Sequence, residues 1–302
     1  MSDLDVFSPL AEKAIDKSNS ILEWFKLPSE EARENLLKLI QNNDKLTPQE
    51  QTALIYKSRK LVREYGNSKS IFEEAKRHFE ANAEEQFVDE DWLHFFFDKA
   101  EKVSTKSMQV LWAKMLSGEL NKPGSISRKL MHIISIMDVH SAKSFQTFCY
   151  YIFESKRLFE LSYKTYSVLL PKGFYENSFD FFRDAENWLK DAGFENYQDL
   201  ASQLTMTTGE LNSLENLGLI QTRSDVKSGV PLIYQVENDK YIWLIPEDNE
   251  EFPMGIYTLT SEGEQLYDII SGNGNKACVE IVIQYLKKCG INFRISGYYS
   301  EN

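Results

Sequence analysis

The chain has 302 residues, 46 of them acidic against 34 basic, for a formal net charge of -12 with 42% hydrophobic residues. This length buries a sizeable core and suggests about two domains, while the acidic balance disfavours a phosphate-backbone partner unless basic residues gather in one patch, and no such patch stands out. Three scattered cysteines (Cys149, Cys278, Cys289), no basic-then-apolar leader and no run near the ~18 apolar residues of a membrane span lead to the expectation of a cytoplasmic protein.

The first eighty residues read as helical. Pro28-Ser29-Glu30-Glu31 opens a segment carrying Leu36, Leu37, Leu39 and Ile40. Thr47-Pro48-Gln49-Glu50 supplies the hydroxyl cap, the proline at N1 and the glutamate at N3 of a capping box. The helix it opens passes Leu54, Ile55, Leu61 and Val62, turns basic at Lys57, Arg59, Lys60 and Arg63, and is expected to stop near Gly66. The basic run reads as a solvated face, with an acidic partner as the alternative. A polar helix is expected from Asn67 to Glu85, and Asp89 then caps a helix bearing Trp92, Phe95, Phe96 and Phe97, rings that need burial. His94 and Asp91 lack the further ligands that a zinc site requires.

The chain is organised around the stretch from Ser104 to Met137. Met108, Leu111, Trp112, Met115 and Leu116 form one apolar stripe on a helix starting at Ser104 or Thr105, with Gly118 loosening its end. Asn121-Lys122-Pro123-Gly124 forbids continuation, and a second helix starts at Ser125 or Ser127 and carries Leu130, Ile133, Ile134 and Met137. Phe145, Phe148, Cys149, Ile152 and Phe153 extend the helical period into a third packed helix. Aromatic residues remain dense from Leu158 to Leu200, interrupted at Pro171-Lys172-Gly173, the expected turn between domains.

Thr207-x-x-Glu210 is a second capping box, ahead of Leu211, Leu214 and Leu217, and Gly218 ends that helix. Strands are expected at Ile233 to Val236, Tyr241 to Ile245 and Ile256 to Leu259, with turns at Asn238-Asp239 and around Pro246 to Pro253. Thr260 caps a helix with Leu266, Ile269 and Ile270; Gly272 to Gly274 leads to a last helix through Val279, Val282, Ile283 and Leu286, and a strand closes at Ile291 to Ile295. The expected division is a helical segment at 1–66, a helical core at 67–170 and an α+β module at 171–302.

Two resemblances rest on these residues. Val88-Asp89-x-Asp91-Trp92, Phe96-Phe97, Leu111-Trp112-Ala113-Lys114-x-Leu116-x-Gly118-Glu119 and Pro123-Gly124-Ser125-x-Ser127 with the later Leu130 resemble an uncharacterised bacterial family of unknown function. The resemblance implies a bacterial or phage origin, and through relatives among abortive-infection proteins a part in antiviral defence. The phrase Leu211-x-x-Leu214-x-x-Leu217-Gly218-Leu219-Ile220, then strands, then Tyr257-x-Leu259-Thr260-x-x-Gly263-x-x-Leu266, is similar to the recognition helix, wing and closing helix of winged-helix domains. In DNA-binding members the helix matching Thr208 to Asn216 enters the major groove. Five acids between Asp191 and Thr222, with no lysine or arginine, favour a module that holds protein instead.

No hydrolase, metalloprotease, phosphate-loop or dinucleotide motif is present, and the four histidines (His78, His94, His132, His140) stand apart from any nucleophile. Ser125 and Ser127, with Arg128 and Lys129, are the best candidates for binding an anion, and helix capping accounts for the same hydroxyls. Glu119 is expected to bond back across the corner. The resulting expectation is a protein-binding component or regulator without cofactor or metal, whose structural or interface motif is Trp92, Trp112, Leu116, Gly118, Glu119, Pro123, Gly124, Ser125 and Ser127. A DNA-binding regulator is the alternative, a nuclease or other hydrolase comes third, and oligomerisation is left open.

Overall fold

A computed structural model describes residues 30–78, 88–155, 165–168, 178–222, 226–237, 240–254, 256–270 and 274–297. The chain is mainly helical in its first part and α+β in its second. Two compact units divide it, Met1–Ser135 and Ile136–Asn302.

The first unit holds α1 (Glu30–Gln41), α2 (Pro48–Ala75), a 3-10 turn (Lys76–His78), α3 (Glu90–Ala100), α4 (Lys106–Asn121) and α5 (Arg128–Ile136) up to its last residue. The capping box at Thr47 forms as read: the Thr47 hydroxyl accepts from Glu50 N at 3.3 Å and Glu50 Oε2 accepts from Thr47 N at 2.8 Å. The helix does not stop at Gly66. It runs unbroken to Ala75, so no break separates 1–66 from 67–170. A glycine inside a helix costs about 1 kcal/mol relative to alanine, and burial of Asn67, Ile71, Phe72 and Ala75 beyond it outweighs that. Buried Asn67 donates to Glu101 O at 2.8 Å and to the Ser104 hydroxyl at 3.2 Å, and accepts from Gln109 at 3.3 Å. Ser104 therefore serves α2 and does not cap α4, whose cap position, Thr105, makes no side-chain cap bond. Asp89 caps α3 through Trp92 N at 2.8 Å, as expected.

The second unit opens with α6 (Val139–Cys149), then β1 (Ile152–Ser155), β2 (Thr165–Val168), α7 (Ser178–Asp191), α8 (Tyr197–Leu204) and α9 (Thr208–Asn216). β3 (Ile220–Thr222), β4 (Val226–Ser228), β5 (Leu232–Glu237), β6 (Lys240–Pro246), β7 (Phe252–Met254) and β8 (Tyr257–Leu259) follow, before α10 (Ser261–Ile270), α11 (Lys276–Lys288) and β9 (Phe293–Gly297). Ile152 and Phe153, read as helix, are strand. A short apolar run fits either period, and the aromatic and β-branched content of Tyr151-Ile152-Phe153 decides for the sheet. The α+β part thus begins well before residue 171; Pro171-Lys172-Gly173 lies outside the described residues.

An antiparallel five-stranded sheet runs in the order β2-β1-β5-β6-β9, while β3 pairs with β8 and β4 with β7. The stretch expected as turn at Pro246 to Pro253 includes β7, after a bend in which Asp248 and Asn249 take positive φ. α11 is buried along Ala277, Cys278, Val279, Ile281, Val282, Ile283 and Leu286. At its N-terminal end lies a polar knot: Tyr234 Oη donates to Tyr150 O at 3.0 Å and accepts from Asn275 N at 2.8 Å, and the Cys278 thiol donates to Tyr150 O at 3.0 Å. Gly263 lets α10 lie against the backbone of Leu219, for a Cβ there would run into the Leu219 carbonyl.

Candidate functional site

The corner between α4 and α5 is built on a set of side chains that face inward. Trp112, Met115, Leu116 and Glu119 are buried on α4. Trp112 lies edge-on to Phe96 at 5.2 Å, and Phe96 stacks on Trp92 at 5.2 Å. Trp92 Nε1 donates to the Ile126 carbonyl at 2.7 Å, tying α3 to the corner. Gly124 turns the chain with φ of 82°, a conformation costly for any residue with a Cβ.

Glu119 closes the turn. Only 2% exposed, its carboxylate accepts from Gly124 N at 2.7 Å and from Ile126 N at 2.9 Å. A buried carboxylate is stable only when its oxygens are satisfied, and two aligned backbone donors meet that condition. The chain's own carboxylate thereby takes the corner's inward N-H groups. Ser127 caps α5, accepting from Leu130 N at 3.1 Å, and Arg128 is held by Asp89 at 3.1 Å. Lys129 is exposed. Ser125 Oγ and Trp112 Nε1 are buried and make no hydrogen bond among the described residues. Gly118 sits within α4, and a Cβ on it would meet Ile126 at an ordinary 3.8 Å. Trp92, Trp112, Leu116, Glu119 and the turn residues are therefore brought together as one folded knot.

A second arrangement lies on α1 and the first half of α2. Ser58 is the one residue there classed as buried before Glu64, among those whose burial is described. Leu39 is 69% exposed, Tyr56 72% and Leu61 66%. Tyr56, Arg59, Lys60 and Arg63 recur at i, i+3, i+4 and i+7, so they share one helix face, and no acid stands among them. Leu54 and Leu61, seven apart, run alongside, with Lys57 between the two strips. Lys60 reaches Glu64 at 3.6 Å, whereas Lys57, Arg59 and Arg63 form no ion pair among the described residues. The spacing was legible in the sequence. The exposure of both leucines was not, because amphipathic spacing reads as core.

Among the described residues no group of three His, Cys, Asp or Glu is placed to hold a metal ion, and no helix is long and apolar enough to cross a membrane. His94 is exposed. Burial pushes the Cys278 thiol well above its ordinary value, so it is a poor nucleophile.

A family model described as Protein of unknown function (DUF2806) matches residues 53–283. The chain belongs to this family. The DUF2806 match takes in the corner, the Leu54 to Arg63 face and most of the α+β unit, and leaves α1 with Leu39 outside it. No curated protein and no solved structure matches the chain.

Proposed function

We propose that the protein acts by binding another protein, as a component or regulator that performs no catalysis itself. The observation that supports this most is the α1–α2 hairpin, which keeps Leu39, Tyr56 and Leu61 largely in water. Covering a leucine side chain is worth roughly 1.5–3 kcal/mol, and several such groups on one hairpin make a surface that gains from a partner. Capture from the native host tests it: the wild-type chain is expected to retain one partner in stoichiometric amount and the Leu39→Ser/Leu61→Ser variant to lose it. Equal recovery with both, or turnover of a substrate by the pure protein that one polar substitution abolishes, sinks the reading. A place in antiviral defence rests on the resemblance of the corner motif alone, and phage plating efficiency with and without the Leu39→Ser/Leu61→Ser variant tests it.

One observation favours a second reading, a winged-helix-like regulator that binds DNA. α8, a short turn and α9 precede the β3–β8 pair, and α9 exposes Thr208, Asn212, Ser213 and Asn216, polar and uncharged. Its acids are drawn inward: Glu210 accepts from Thr207 and Ser144, and Glu215 from Thr222 N at 3.1 Å. The acidic tally of this segment therefore overstates the negative charge presented along the exposed face of α9. Retention of a specific duplex at physiological salt, lost in Asn212→Asp, would establish this reading; retention of none would remove it.

A further inference from the structure

We infer that the Leu54 to Arg63 face of α2 is the docking surface for an acidic amphipathic helix of a partner protein; this deepens the protein-binding reading and rests on it. Around α2 the exposed side chains follow one another at helical angles as Arg59, Arg63, Tyr56, Lys60, Lys57, Leu61 and Leu54. An apolar strip is thus bordered by a cationic one on an otherwise acidic chain. Three of those cations lack an ion-pair partner among the described residues, so they are available to an incoming carboxylate.

Three kinds of occupant can be weighed by what they leave unmatched. A nucleic acid meets the cations and leaves Leu54 and Leu61 facing phosphate and water. A second copy of the same face would set Arg59, Lys60 and Arg63 against like charges, which is unfavourable. A helix with leucine at heptad spacing and glutamate beside it covers the strip and pairs the border, the division of labour of core and flanking positions in a coiled coil. The charged border speeds and selects encounter, and the leucines set residence time.

The test uses the full chain and labelled 21-residue peptides followed by fluorescence anisotropy. One peptide carries leucine at the core positions and glutamate at the flanks, a second replaces glutamate by lysine, and a third replaces leucine by serine; a 20-base-pair duplex is the fourth probe. The Leu/Glu peptide is expected to bind saturably and more weakly as salt rises, with the other peptides at least about tenfold weaker. Arg59→Glu/Arg63→Glu and, separately, Leu54→Ser/Leu61→Ser are each expected to weaken it about tenfold or more, the exposed positions leaving helix content unchanged by circular dichroism. Equal binding of the Leu/Lys peptide, indifference to the charge reversal, no binding of the Leu/Glu peptide, or tighter binding of the duplex overturns the inference. Host capture separates the two levels: a partner lost in Leu39→Ser/Leu61→Ser but kept in Arg59→Glu/Arg63→Glu removes the acidic helix and leaves protein binding standing, and a partner kept in both removes the wider reading.

Discussion

Replacing Glu119 by alanine removes both acceptors from the corner at once. Hydrogen bonds to a charged group contribute a net ~1.5–3 kcal/mol each, but the two are not equal here. Gly124 is exposed, so its N-H regains a partner in water, and its bond counts near the lower figure. Ile126 is buried, so its N-H is left without any acceptor and the upper figure applies. The sum is about 4–5 kcal/mol, of which the Ile126 bond carries about 3. Glu119→Gln keeps one oxygen, which the buried Ile126 N-H takes, and turns its amide group toward Gly124, for about half that cost. A two-unit chain does not guarantee a single unfolding transition, so amide hydrogen exchange at Gly124 and Ile126 is the clean assay, with urea unfolding beside it. In Glu119→Ala the Ile126 amide is expected to exchange about a hundredfold faster, since each 1.4 kcal/mol is about a factor of ten. Wild-type exchange at Ile126 in the alanine variant, or equal damage in the glutamine variant, would refute the reasoning.

Trp112→Ala is expected to cost about 3–5 kcal/mol, as for large aromatic truncation in a core, and Trp112→Phe markedly less, because it keeps the edge contact to Phe96 and removes an indole N-H that has no hydrogen bond among the described residues; an unchanged melting temperature in Trp112→Ala would show the stripe misassigned. Burial tends to raise the Glu210 carboxyl, but the Thr207 backbone, its hydroxyl and the Ser144 hydroxyl outweigh it and hold it below the ordinary 4.5. A depressed folded value means its contribution is present above pH 4.5 and lost as pH falls through the lower folded value, so α9 should loosen there, by amide exchange, and Glu210→Gln should flatten that dependence. Cys289 is exposed and Cys278 buried with its thiol pushed up, so iodoacetamide should label Cys289 in the native protein and Cys278 only on unfolding; native labelling of Cys278 would contradict the packing of α11.

How much of this was legible varies with the kind of signal. Both capping boxes, the Asp89 cap, the corner at Asn121 to Gly124 and the bond from Glu119 across it could be read directly, because each is a local rule linking side-chain type to backbone position. The passage of α2 through Gly66 could not, since its cost is outweighed only by distant partners of Asn67, Ile71 and Phe72. Ile152 and Phe153, expected on the helix, lie on a strand for a similar reason: their place in the sheet depends on pairing with β2 and with β5, which is far along the chain, whereas the apolar period near Phe148 is shared by helix and strand. The short strands β3, β4 and β7 carry too few residues for any period to show. On α2 the basic run was visible as four residues, but a solvated face and a docking face share that spacing. The docking proposal rests on the exposure of Leu54 and Leu61, a tertiary property.

The most direct measurement is in-cell photo-crosslinking in the native host with a photoreactive phenylalanine at Leu61, and at exposed Asp199 as the control. Protein binding through the hairpin is expected to give one discrete adduct at 61, absent at 199, whose partner peptide is rich in glutamate or aspartate and leucine. No protein adduct at 61, or the same adducts at both positions, would contradict it.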